Sequence, residues 1–184
     1  MMDQFLEQVA TKRNDGMQSI MIAFAWITLV LSGIYGMMMF SSISYAFAEG
    51  ATAGIIQIAV SVLFIGFAVL IYLYKDRLRT EYEYTFTNGA LDFAAVYNNR
   101  KRKALGTMNL KNIKACGKVA SGSFNRYINM PGINRSNWFV NREADLFYIY
   151  FEKDSAKRII ILEPNEEMER LIRGAVPQGA FQVN

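Results

Sequence analysis

Arg100, Lys101, Arg102 and Lys103 are four consecutive bases inside YNNRKRKALG, residues 97–106, a stretch that otherwise reads as β-strand. Clustered guanidinium and ammonium groups bind anions through charge-assisted hydrogen bonds. Three readings stand for the run: a solvated hairpin end, contact with the anionic lipids of an inner leaflet, or a specific anion or acidic partner. Nucleic acid is not expected, because single-strand binding needs aromatics interleaved with the bases and only Tyr97 adjoins them.

Other residues with chemical capacity are few. Trp138, Phe139 and Arg142 are close enough in sequence to make a rim for a partner, against the competing reading of a core tryptophan under a long loop. Cys116 is the lone cysteine and sits in an apolar strand pattern, so it reads as a small core residue. Histidine is absent, which removes Ser-His-Asp and Cys-His nucleophilic sites and most zinc sites. Glu166, Glu167 and Glu169 read as helix-cap and solvent-face acids rather than a carboxylate pair for acid–base work. No glycine spacing of the phosphate-cradling kind occurs. No catalytic, cofactor-binding or metal-binding residue is predicted.

What positions these residues is visible in the charge pattern. Gly16–Ala48 contains no Asp, Glu, Lys or Arg, and neither does Gly50–Tyr74. A bilayer-spanning helix needs about 20 apolar residues, so the sequence predicts a transmembrane hairpin over 18–75, with spans at about 20–42 and 54–74. Lys12 and Arg13 precede the hairpin, Lys75, Arg77 and Arg79 follow it, and the connecting SYAFAEGATA carries only Glu49. Excess Lys and Arg mark the cytoplasmic flank. The expectation is a multi-pass protein of the cell membrane, with both termini and the soluble domain in the cytoplasm. Ser32, Gly33 and Gly36 are small enough to meet Gly54, Ala59, Ser61 or Gly66 across a close helix pair. Gln57 is read as interfacial. The two spans hold no Asp, Glu, Lys or Arg, which argues against transport.

The lead-in, residues 1–17, places Phe5, Leu6 and Val9 on one helical face; an amphipathic surface helix and a flexible segment both fit. After the hairpin, residues 80–184 read as a mainly β domain. Asn88-Gly89 is the preferred pair for a two-residue hairpin turn, and it would oppose Phe86 to Leu91, Tyr84 to Phe93 and Tyr82 to Ala95. RKRKALGTM, NIKACGKVA, LFYIYFE and KRIIIL supply further strands, with NWFVN as a short one. Residues 121–137 read as a long irregular loop. Asn165 caps a final helix whose apolar stripe is Met168, Leu171, Ile172 and Ala175. The expected α+β architecture is a curled antiparallel sheet of about seven strands closed by that helix.

YTFTNGALDF, the basic hairpin, MNLKNI and EPNEEMERLI together resemble the pleckstrin-homology-like domains that follow two-helix anchors in a family of small bacterial membrane proteins. The resemblance implies a fold and an address, and no activity. In many pleckstrin-homology domains phosphoinositides bind bases around a long first loop; here that loop is only Asn88-Gly89, and the bases lie at the next hairpin.

Positive charge is confined to one part of the chain: Lys75–Lys118 holds ten Lys and Arg against four acids, whereas Val119–Asn184 is neutral. The expectation is a non-catalytic, membrane-anchored binding or scaffolding module, with a membrane protein as partner. A lipid-sensing regulator docking through Arg100–Lys103 is the first alternative. An enzyme using carboxylates or lysines in the 121–142 region is the second.

Overall fold

A computed structural model describes residues 4–13 and 16–182. The residues up to Arg13 together with those from Thr80 onward form one unit, and Asn14–Arg79 forms the other.

The hairpin unit is built from α1 (Gly16–Ser41), α2 (Ile43–Glu49) and α3 (Ala51–Tyr74), with a short 3-10 turn at Lys75–Leu78. At 1.5 Å per residue, the 26 residues of α1 reach about 39 Å, more than a bilayer's apolar thickness. Both α1 and α3 are long and apolar enough to cross a membrane. Small residues set the approach of α1 to α3, and the faces are more selective than composition suggests. Ser32 and Gly36 are buried on α1, and Gly54 and Ser61 on α3. A Cβ on Gly36 would stand 2.8 Å from Ile65 Cγ1, whereas Gly33 and Gly66 have open space. Ser32 Oγ donates to the Phe64 carbonyl at 2.8 Å. The segment read as a loop contains a helix instead: α2 lays the Phe47 ring against Gly54, where any Cβ would collide at 2.5 Å. Gln57 is not merely interfacial, since its amide donates to the Met39 carbonyl and to Ser42 Oγ, tying α3 to the end of α1.

The β unit begins where the sequence reading expected a surface helix or a flexible lead. Phe5–Ala10 is a strand, β1, and its six residues pair antiparallel with β2 (Thr80–Thr87) from Phe5↔Thr87 to Ala10↔Tyr82. Period-two alternation wins over helical spacing: Phe5, Glu7 and Val9 face outward, while Leu6 and Ala10 turn to the core. The edge of β2 supplies six residues of ladder hydrogen bonds, whereas a helix this short costs more to nucleate than it returns. Met1–Asp3, Asn14 and Asp15 of that lead-in lie outside the described residues. The helical hairpin is therefore an insertion between two neighbouring strands.

The β2–β3 (Ala90–Tyr97) hairpin has the predicted register, Phe86↔Leu91, Tyr84↔Phe93 and Tyr82↔Ala95. Asn88 and Gly89 take the positive φ values (49° and 86°) that a two-residue turn requires. β4 (Lys101–Asn109) completes the first sheet, in the order β1-β2-β3-β4. A 3-10 turn at Leu110–Asn112 then swings the chain out of that sheet into β5 (Ile113–Lys118). The second sheet runs β6 (Asn134–Trp138), β8 (Ala156–Leu162), β7 (Phe147–Lys153), β5, β9 (Phe181–Gln182). Its outer pairs, β6 with β8 and β5 with β9, are parallel. The expectation of one antiparallel sheet of about seven strands is thus corrected to nine strands in two open sheets among the described residues. The 121–137 stretch is corrected too, from irregular loop to α4 (Gly122–Ile128) followed by β6.

Between the sheets lies a core of Tyr84, Phe86, Leu91, Phe147, Ile149 and Leu162, into which α5 (Glu166–Ala175) inserts Met168 and Ile172. Asn165 Oδ1 caps α5 by accepting from the Met168 amide at 2.7 Å. A second cluster occupies the other face of the β7–β8 pair, where Tyr148, Tyr150, Ile159 and Ile161 are covered by Phe124, Tyr127 and Ile128 of α4. Burial on both faces explains why β7 and β8 read as unbroken apolar runs rather than alternating ones.

Candidate functional site

Arg100–Lys103 does not form one continuous patch. Asn98 and Asn99, both at positive φ, turn the chain, Arg100 ends that turn, and β4 starts at Lys101. Strand alternation then places Lys101 and Lys103 on one face and Arg102 on the other. Arg102 is spoken for: its Nε donates to Glu83 Oε2 at 3.0 Å and its terminal nitrogen to Glu83 Oε1. The hydrogen bonds it donates to Glu83, then the charge of Glu83, then those of Glu7 and Asp92, hold the Arg102 guanidinium above its usual range. Arg100, Lys101 and Lys103 remain exposed. Bases along an unpaired edge strand also guard it against pairing with stray chains, which gives this run a structural reason to exist.

Trp138, Phe139 and Arg142 are not brought together. The Trp138 ring packs on Phe93 at a centroid distance of 4.8 Å, on the core side. Phe139, one residue on, joins the second cluster on the opposite face, and Arg142 is exposed beyond both. Lys75 is buried, its ammonium lying over the Trp26 and Tyr72 rings at 5.0 and 4.6 Å with Asp76 at 3.4 Å; Arg77 stacks on Tyr74. Such a box suits a base at the end of a long apolar helix, where its stem stays in apolar surroundings. Lys12 is exposed, and the Arg13 amide donates to Asn141 Oδ1 at 3.0 Å.

A buried polar network lies at the junction of β1, β2 and the end of β8. The Glu163 carboxylate accepts from the amides of Val140 and Asn141 and from Asn141 Nδ2 at 3.3, 3.0 and 2.7 Å. Tyr84 donates its phenol proton to the Trp138 carbonyl and accepts from the Glu163 amide at 3.2 Å. Burial, foremost, pushes the Tyr84 hydroxyl far above its ordinary range. Gln8 of β1 closes the junction, donating to the Glu163 carbonyl and accepting from the Asn165 amide, both at 2.8 Å. Every polar atom named here has a protein partner, so the network reads as scaffold.

The feature that sequence reasoning missed is a cleft of about 370 Å³ between the outer edge of β4 and the end of β7. Five consecutive β4 residues, Leu105–Asn109, form one wall, which means that the strand presents its edge rather than a face. The floor is Phe93 with Trp138, and the far wall holds Phe151, Lys153, Arg158 and Ile160. Arg158 Nε is buried there with no hydrogen-bond partner. Glu152 at the mouth is engaged by the Tyr150 hydroxyl at 2.9 Å. Arg158 was hidden within KRIIIL, a segment whose aliphatics announce a strand; its one legible signal was a base on the inward parity of that strand.

Residues 121–142 contain no Asp, Glu or Lys, so the acid–base groups sought there for an enzyme are absent from the region. Cys116 is buried between Ala115 and Gly117, and burial, with Glu169 adding repulsion, pushes its thiol up to about 12. Among the described residues no three His, Cys, Asp or Glu side chains are grouped as metal ligands.

Two open sheets are consistent with a PH-like domain, but the closure by a final helix expected from the sequence is not matched exactly, because β9 follows α5 and returns the chain to the second sheet. The chain belongs to the bacterial PH-like domain family (DUF6106), whose family model matches residues 2–182 and so spans the helical hairpin as well as the strands on either side. No curated protein matches the chain, and no solved structure does.

Proposed function

We propose that this protein is a membrane-anchored binding module, held by its α1–α3 hairpin and presenting the PH-like domain at the cytoplasmic face of the cell membrane. The observation that carries the reading is the pairing of β1 with β2. Strands on either side of the hairpin share one ladder, so both ends of the hairpin return to the same domain. Lys12, Arg13, Lys75, Arg77 and Arg79 flank those ends, and the positive-inside rule puts them in the cytoplasm. Anchoring raises the effective concentration of the domain towards membrane partners. PH-like domains are as a rule binding modules, which supports a scaffolding role over a catalytic one.

The test uses the chain's single cysteine. With Cys116→Ala as background, Glu49→Cys in α2 should react with an impermeant maleimide on intact cells, and Asp154→Cys in the β7–β8 turn only after permeabilisation. The reverse pattern overturns the topology.

A second reading, contact with anionic lipid, is favoured by the exposure of Arg100, Lys101 and Lys103 at one end of the domain. Each base near an anionic surface contributes about 1 kcal/mol of attraction.

A further inference from the structure

The β4 strand is divided in its chemistry. Lys101, Arg102 and Lys103 charge its first half, whereas Leu105, Gly106, Thr107, Met108 and Asn109 carry no charge. β4 is the last strand of its sheet, so one side of its backbone is unpaired along this second half. At about 3.3 Å per residue the uncharged edge is about 16 Å long. Opposite it, β5 pairs with β7 only as far as Phe151, which leaves Glu152 and Lys153 without a neighbour on that side. The cleft therefore has the form of a strand-shaped gap between the two sheets.

Its chemistry is specific in two respects. By alternation, Phe151 and Lys153 of β7 share a face, and Phe151 is the cross-strand partner of Arg158. The charged side chains on that inner face are thus both basic, while Glu152 has opposite parity and is held by Tyr150. Beneath them Phe93 and Trp138 make an aromatic floor. A buried guanidinium nitrogen without an acceptor is costly, and Arg158 Nε is such a group. A carboxylate is the acceptor that matches it best.

We propose that this cleft takes an extended acidic segment of a partner protein. The segment adds as a strand to Leu105–Asn109, seats one apolar side chain on Trp138 and Phe93, and delivers a carboxylate to Arg158. Strand addition of this kind gains affinity from backbone hydrogen bonds and specificity from the pockets under alternate side chains. Acidic residues flanking the segment run past Lys153 at one end and Lys103 and Lys101 at the other. The proposal deepens the reading of the domain as a binding module and rests on it.

The test uses the full chain in nanodiscs, with a displayed library of random octapeptides as the probe. Enriched sequences should combine an acid with an aromatic or aliphatic residue at alternate positions. Their binding should weaken at least tenfold in Arg158→Gln and in Lys153→Glu, the second at an exposed position where folding is not at stake. Amide exchange at 105–109 should slow when an enriched peptide binds. Enriched peptides that are not acidic, that bind both variants as well as the parent, or that protect another surface overturn the cleft while leaving a binding module in place. A library that enriches nothing overturns the peptide proposal outright, and so does displacement of enriched peptides by decanoate without any protection at 105–109, which makes the cleft a small-anion pocket.

Discussion

Arg102 grips both carboxylate oxygens of Glu83, a residue of β2, from its place on β4, reaching across the intervening strand β3. This pair removes the third member of what the sequence presents as a uniform run of four bases. Arg100, Lys101 and Lys103 are left exposed for the anionic-lipid contact proposed as the second reading, and Arg102 belongs to the acidic outer face of the sheet with Glu7 and Asp92.

Changing Arg100, Lys101 and Lys103 to Ser should therefore abolish any sedimentation with anionic liposomes as completely as changing all four bases. Arg102→Ser alone should leave binding intact and lower thermal stability by a few degrees. Liposome sedimentation and a thermal melt of each variant check this. Loss of binding in Arg102→Ser with unchanged melting would return Arg102 to the lipid surface.

The soluble material for such work follows from the β1–β2 ladder. Joining Arg13 directly to Thr80 leaves Thr11, Lys12, Arg13, Thr80 and Glu81 between the paired Ala10 and Tyr82, within the usual length of a hairpin loop. This hairpin-deleted chain should be monomeric and cooperatively folded. A chain starting at Thr80 exposes the edge of β2 and should self-associate. Analytical ultracentrifugation of the two distinguishes them, and equal behaviour would deny β1 its role.

Tyr84→Phe removes the hydroxyl that links the Trp138 carbonyl to the Glu163 amide. Stranding buried partners costs about 1–3 kcal/mol, and urea denaturation of the hairpin-deleted chain should show that loss with an unchanged slope.

In the hairpin, Gly36→Leu drives a side chain into Ile65, whose backbone nitrogen stands 3.1 Å from the new Cβ. Gly33→Leu, three residues earlier on α1, places its Cβ in open space. Cysteine pairs across α1 and α3 should lose cross-linking in Gly36→Leu and keep it in Gly33→Leu.

Stability should fall in alkali. Burial holds the Cys116 thiol up to about 12 and raises Tyr84 and Tyr148 as well. Each group is neutral when protonated, so the native state keeps its protons to higher pH than the unfolded chain does. The contribution of Cys116 is complete below the unfolded thiol's range near 9 and is lost as pH climbs towards 12. Denaturation of the hairpin-deleted chain at stepped pH checks this, and Cys116→Ala should make the decline shallower.

Local signals were the legible ones. Asn88-Gly89 fixed a register because a two-residue turn leaves no freedom, and Asn165 with its following acids marked α5 because a cap and a dipole act within one turn. β1 was illegible because its conformation is decided by the edge of β2, far along the chain. In 121–137 the Gly, Ser and Asn content masked α4, although Phe124, Tyr127 and Ile128 stand at helical spacing. The two-sheet division depends on the turn at Leu110–Asn112, and the cleft exists only because of that division. Parallel pairing of β6 and β9 at the sheet edges leaves no mark on sequence pattern at all.

The insertion of the hairpin between paired strands also imposes an order of assembly. β1 emerges first but has nothing to pair with until both helices have been made and β2 follows them. With the anchor in a bilayer as proposed, a chain that threads only one helix strands β1 and β2 on opposite sides, and no rearrangement within the domain can rejoin them. Under that proposal, the β1–β2 ladder can be completed only in chains whose two long helices have both been threaded.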